Sequence, residues 1–230
     1  MGIFITALSR MFTARRPLRS QSDVAGRKSA NAAKGAAVFE VERKFRLKDG
    51  EASTIPTRLK AMGFVPAENI EMTDVFLPTP VQGEMLRVRT EVSDARSHTV
   101  VTIKEWVTIG NSRERQETED GVNGLEKWLL LRIGRLISGR KLLSFTKTRL
   151  MHESSVLAGV VIAIDNVQDL GENSGYYAEI EVIVPQGGDV EGARRQIVEL
   201  AGQLFGEERD FVQASYQDML KQVSADKPRG

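Results

Sequence analysis

Cysteine is absent from this 230-residue chain, and histidine occurs only as His98 and His152. Without a thiol there can be no disulfide, no zinc–thiolate site and no cysteine nucleophile. Two histidines leave almost no room for a multi-histidine metal centre. Any bound metal would rest on carboxylate oxygens, which suit hard ions such as Mg2+ or Mn2+. No run approaches the roughly 18 apolar residues that a membrane span requires, so no membrane partner is expected. Low-complexity tracts and internal repeats are missing too. What is present, 41% hydrophobic and 27% charged residues, is ordinary globular composition and suffices for one generous domain or two small ones.

The net charge of +1 conceals a division. Residues 1–37 carry seven Lys and Arg against Asp23 alone, which leaves 25 basic and 30 acidic residues in the remainder. A body with excess acid argues against nucleic acid as a partner. The opening "MGIFITALSRMFTARRPLRSQS" is rich in Arg and Ser and places Phe4, Leu8, Met11 and Phe12 on one helical face. That make-up suits an organellar transit peptide, the alternative being a disordered basic tail or a misassigned start codon. A cytoplasmic or mitochondrial location follows. Small residues from Ala32 to Ala37 suggest a joint, so the folded domain is placed at 38–223, with a tail at 224–230.

Strand signals recur at 38–47, 71–77, 84–92, 98–108, 112–119, 141–153, 159–166 and 177–184. Helix signals fall at 52–62, 121–138, 189–205 and 210–222, with Gly63 placed as a C-terminal cap. The strands share one oddity. In "FEVERKFRL", Glu40, Glu42 and Lys44 alternate with Val41, Arg43 and Phe45, so one face is charged in both signs and the other mainly apolar. Arg87 and Arg89 lie opposite Leu86 and Val88; Lys104 lies opposite Val101 and Ile103. Arg115, Glu117 and Glu119 share a face, as do Lys147 and Arg149. Asp165 faces away from Ile162 and Ile164, and Glu179 and Glu181 away from Ile180 and Val182.

One such strand reads as a solvated surface; six or seven read differently. An ordinary barrel turns its apolar faces inward and needs few helices, yet several amphipathic helices here must cover something apolar. The economical solution is an α+β fold: an eight-stranded antiparallel β-barrel with a polar lumen and helices packed outside. Seven inward bases suit a polyanion, and the inward acids suit the divalent cations that travel with one. Polyphosphate with Mg2+ meets both demands.

The same residues resemble the CYTH, or triphosphate tunnel metalloenzyme, superfamily. "EVERKF" at 40–45 is similar to its ExExK signature. "LRVR" at 86–89, "IK" at 103–104, "RQETE" at 115–119, "KTR" at 147–149, "IDNV" at 164–167, "AEIEV" at 178–182 and "SYQDML" at 215–220 follow in order. The resemblance covers about 38–222. It implies an eight-stranded tunnel, open through its length, in a monomer that binds a small-molecule triphosphate. Substrate contacts would fall to Lys44, Arg87, Arg89, Lys104, Arg115, Lys147 and Arg149. Glu40, Glu42, Asp165, Glu179 and Glu181 would position Mg2+ (or Mn2+), with Glu40, Glu42, Lys44, Arg87 and Arg89 nearest the chemistry. Glu117 or Glu119 would order bases in the wall.

Within the superfamily the chain looks most like eukaryotic thiamine triphosphatases, which implies hydrolysis of thiamine triphosphate to the diphosphate. Met85, however, stands where the animal enzymes have a tryptophan before the LRxR element. Inorganic tripolyphosphate is therefore a rival substrate. A class IV-type adenylate cyclase and a non-catalytic polyphosphate-binding module are further alternatives. "GRLISGR" (Gly134–Arg140) has P-loop-like glycine spacing without the Lys-Ser/Thr pair, and reads as a helix end and turn. Trp106 and Trp128 could stack on a substrate ring or pack at the barrel rim, and Tyr216 could plug the tunnel mouth.

Overall fold

A computed structural model describes residues 38–79, 84–94, 96–109, 112–139, 141–185 and 187–225; the side chains of 38–39 and 106–117 lie outside the described part. The eight strands are β1 (Val38–Arg46), β2 (Phe64–Leu77), β3 (Met85–Ser93), β4 (Arg96–Ile109), β5 (Ser112–Gly121), β6 (Leu143–Ser154), β7 (Val160–Val167) and β8 (Gly175–Pro185). Four helices join them: α1 (Glu51–Ala61), α2 (Gly124–Ser138), α3 (Val190–Phe205) and α4 (Tyr216–Ala225). All ladders are antiparallel in one sheet of order β1-β8-β7-β6-β2-β3-β4-β5. The sheet curls until its edge strands, β1 and β5, approach each other. The transit-peptide reading concerns residues 1–37, outside the described residues.

The charged faces turn inward and the apolar faces outward. Val41, Phe45, Ile162, Ile164, Ala178, Ile180 and Val182 from β1, β7 and β8 pack outside against Ile55 and Leu59 of α1 and Ile197, Leu200, Ala201 and Leu204 of α3. Leu77, Val88 and Val101 pack outside against Leu130 of α2 and Leu142. Burying these aliphatic faces at about 1.5–3 kcal/mol per large side chain favours the inverted arrangement. α2 lies close because Gly134 has no side chain: a Cβ there would fall 2.6 Å from Leu77 Cδ2. Gly139 ends α2 in the left-handed region, φ 62°, so the glycine-spaced stretch is a helix end.

Three elements start three or more residues away from the sequence reading. β2 begins at Phe64 rather than residue 71, because in "FVPAEN" the β-formers Phe64 and Val65 are followed by Pro66, Ala67, Glu68 and Asn69, all residues that disfavour strands. Residues 64–70 pair only with β6, across a bulge at Pro66/Glu68, and a one-sided edge tolerates a proline. α2 starts at Gly124 because Asn123 accepts from the Leu125 and Glu126 amides, while Glu126 accepts from Asn123 N, a reciprocal capping box. α4 starts at Tyr216, where Ser215 and Asp218 cap each other. The stretch 206–215 before it is an extended strap.

That strap and α4 occupy one end of the lumen. Phe76, Met85, Phe145, Val167, Leu170 and Tyr177 pack there with Met219 and Leu220 of α4. The resemblance implied a lumen open through its length; at this end Phe76, Met85, Phe145 and Tyr216 line it.

Candidate active site

Curling the sheet sorts the lumen charges by strand. Arg87 and Arg89 of β3, Lys104 of β4, and Lys147 and Arg149 of β6 line one side of a cavity of about 620 Å3. Glu40 and Glu42 of β1 and Glu179 and Glu181 of β8 line the other. Lys44 of β1 sits among the acids, opposite Glu179 in the ladder.

Buried carboxylates hold the cationic side. Asp74, 1% exposed on the inner face of β2, accepts from Arg89 Nε at 2.6 Å and from Nη2 at 2.8 Å, a two-pronged pair. Burial alone would raise its pKa. Arg89, then Arg87 and Lys147, hold the carboxyl well below the usual range. Arg87 donates to Thr102 Oγ1 at 3.0 Å, and Thr102 donates to Glu119 Oε1 at 2.9 Å. Glu119 is thus one of the two acids expected to order bases in the wall, and it does so in β5.

Asp165 has no exposed surface. Its two oxygens accept from Lys147 Nζ, Arg149 Nε and Arg149 Nη2, each at 2.7 Å. Burial would raise this carboxyl, and Arg149 and Lys147 bring it below its ordinary value. The expected metal-positioning acid therefore lies on the inner face of β7 but beneath Lys147 and Arg149, with its oxygens taken up by the two cations. Arg149 Nη2 also donates to Glu179. Burial lowers the pKa of Lys147, and the neighbouring Arg149 lowers it further.

Tyr216 joins the two sides. Its hydroxyl lies 3.3 Å from Asp165 Oδ2, and its ring sits 3.9 Å beneath Lys44 Nζ and 5.2 Å from Lys147 Nζ. Phe145 and Tyr177 pack on the ring at centroid distances of 5.3 and 5.5 Å. Burial, then the charges of Glu179 and Asp165, hold the phenol well above its ordinary pKa. Lys44 donates to Ala214 O at 2.7 Å, and its own carbonyl accepts from Val212 N at 2.6 Å. Burial lowers its pKa. Tyr216 thus packs against the cavity as part of its lining.

Ten of the expected site residues line this cavity: Glu40, Glu42, Lys44, Arg87, Arg89, Lys104, Lys147, Arg149, Glu179 and Glu181. Asp165 is inward but covered by Lys147, Arg149 and Tyr216. The side chains of Arg115, Glu117 and Trp106 lie outside the described residues, and Trp128 is 56% exposed on α2, away from the lumen. Asp74 escaped the sequence reading. Its signal was an acid on the same strand face as Ile70, Met72 and Phe76, all buried, where an unpaired charge would be very costly.

Among the described residues no three acidic side chains converge as a ready cation site. The donor types nevertheless fit a hard divalent ion. Glu42 lies directly across the ladder from Glu181, and the charge of Glu179, followed by burial, raises the Glu42 pKa. Carboxylates crowded in this way are relieved by a bound cation.

An antiparallel sheet curled around a charged lumen, its apolar face outward beneath helices, defines a tunnel-type domain. The CYTH domain model matches residues 39–216, so the chain belongs to the CYTH family. No curated protein matches it. Among solved structures, the PH1819 protein from Pyrococcus horikoshii OT3 is 24% identical, with a TM-score of 0.63 over 80% of this chain and 99% of that one. The PH1012 protein from the same organism is also 24% identical, with a TM-score of 0.60 over 79% and 99%. HpAC1 from Hippeastrum, considered an adenylyl cyclase and reported to reveal a dominant triphosphatase activity, is 16% identical with a TM-score of 0.54, over 80% and 96%. At these identities the likeness is one of fold.

Proposed function

We propose that this protein hydrolyses the terminal phosphate of a small triphosphate with the help of a divalent cation. The observation that carries the reading is the gathering of charge in one lumen: five cations on β3, β4 and β6, with Asp74 and Glu119 among them, and four glutamates on β1 and β8. A polyanion lies against the first wall, and Glu40, Glu42, Glu179 and Glu181 would hold the cation, Mg2+ in our reading. Such an ion neutralises charge on non-bridging oxygens and acidifies bound water. Phosphoryl transfer needs in-line positioning and charge stabilisation more than covalent help.

The chain's own residues supply both. Arg89 is fixed by Asp74, and Lys147 and Arg149 by Asp165, so the cations need little reorganisation when charge develops. Lys44 is poised between the two walls. Water oxygen bonds to the terminal phosphorus as the bridging P–O bond breaks; the diphosphate departs with that electron pair, and the water proton is released. The triphosphatase activity reported for HpAC1 agrees with hydrolysis rather than cyclisation.

Thiamine triphosphate is the substrate we favour. Phe76, Met85 and Phe145 line the same cavity beside Arg87, an apolar patch that an organic group uses and inorganic tripolyphosphate does not. The test is phosphate release by the full chain from thiamine triphosphate, tripolyphosphate and ATP, with Mg2+ and with EDTA. Preference for thiamine triphosphate, abolished by EDTA, is the expected result. Preference for tripolyphosphate overturns the thiamine assignment, and no release from any of the three overturns hydrolysis.

A further inference from the structure

α2 buries only a thin stripe. Leu130 and Gly134 face the sheet, while Leu125 is 74% exposed, Trp128 56%, Leu129 49% and Leu136 80%. At 100° per residue these four, with the exposed Arg132 and Arg135, occupy a single outward face running roughly 16 Å from Leu125 to Leu136. A globular helix that turned its back to water would carry its polar residues there. Other large exposed apolar residues lie elsewhere in the fold, such as Val65 in β2, Val156 between β6 and β7 and Val198 in α3.

Charge decides what covers the face. The one acid in α2 is Glu126, and its carboxylate is taken up by the Asn123 amide. Lys127 turns away to donate to Thr90 Oγ1 at 2.7 Å. The Arg132 guanidinium lies 5.5 Å from the Trp128 ring centroid, so this cation sits within the apolar face and not on an opposite side. Two copies of the chain docked through this face would confront arginines with arginines. Leucines, a tryptophan and arginines on one helical face suit the headgroup boundary of an anionic bilayer. There the rings and aliphatic chains enter the interface while the guanidinium groups meet lipid phosphates.

We propose that the outward face of α2, Leu125 to Leu136, docks this protein on an anionic membrane surface. The attachment is peripheral and requires no membrane-spanning run. The exposed Arg132 and Arg135 add charge attraction to the apolar contact, and stable surface binding ordinarily needs two such signals.

The test is co-flotation of the full chain with phosphatidylcholine vesicles, with and without phosphatidylserine, together with tryptophan emission. The wild type floats only with the anionic vesicles, less so at high salt, and its emission moves to the blue. Leu125→Glu/Leu136→Glu alters two side chains that touch little of the fold, and lowers partitioning on the order of tenfold per leucine. Arg132→Gln/Arg135→Gln lowers it about fivefold per arginine. Equal flotation of wild type and the leucine variant overturns the proposal and assigns the vesicle contact to residues 1–37. Absence of flotation overturns it outright. So does a wild-type dimer in sedimentation that the leucine variant abolishes, because the face would then be covered by a second copy.

Discussion

At the scale of the residue, the cations of the lumen rest on two buried acids. Asp74 and Asp165 are each enclosed by the cations they hold, and this fixes Arg89, Lys147 and Arg149 before any ligand arrives. Asp165→Asn leaves two buried cations short of a counter-ion and should cost about 3 kcal/mol or more in denaturant unfolding. Adding Lys147→Met to that variant should recover part of the loss; no recovery would mean that the pair is not the source of the cost. Arg87→Ala removes a cation held by Thr102 and Glu119 and should lower kcat/KM on the order of a hundredfold. Glu179→Gln should raise the Mg2+ concentration giving half-maximal rate, and an unchanged Mg2+ dependence would remove Glu179 from the cation's donors.

At the scale of the element, the strap 206–215 is the least regular part that touches the lumen. Its anchor is Arg209, whose guanidinium donates to Glu51 Oε2 at 2.7 Å and Oε1 at 2.8 Å, to Glu207 at 2.8 Å, and stacks 4.2 Å from the Phe205 ring. The Arg209 hydrogen bonds lower the Glu51 pKa from 4.5 to about 2. Because the folded value lies below the unfolded one, this pair stabilises the protein above pH 4.5 and loses that contribution as pH falls towards 2. Arg209→Gln should therefore move acid unfolding to higher pH, and circular dichroism against pH reads the shift. An unchanged acid midpoint would mean that the anchor bears no part of the strap's attachment.

At the scale of the whole molecule, the ligand binding proposed above would be a stabilising event. The glutamates of β1 and β8 crowd one another, and a cation bound with a polyanion would relieve them. At a ligand concentration one hundred times Kd the gain is about 2.7 kcal/mol, which for a domain of this size raises Tm by roughly 5–10 °C. Scanning calorimetry with tripolyphosphate should show the rise with Mg2+ and a smaller one with EDTA. The same rise under both conditions would separate polyanion binding from the cation.

Period-two alternation determined a great deal by itself. The inward turn of Glu40, Glu42 and Lys44, the arginine pair on β3, the acid pair on β8 and the helices over an apolar exterior were all legible, because a strand's faces follow from its sequence alone. Strand residues 64–70 were not legible, since "FVPAEN" is held only by its partner β6. Nor was the role of Asp165, whose position after an apolar run shows an inward acid but not the two cations across the ladder that occupy it. Asp74 has the same explanation. The outward face of α2 was hidden for a related reason: "LEKWLLLRIGRLIS" is apolar on nearly every side, and only its distance from the sheet at Gly134 decides which leucines remain in water. Local pattern sets which way a side chain points; only the closed sheet decides what it meets.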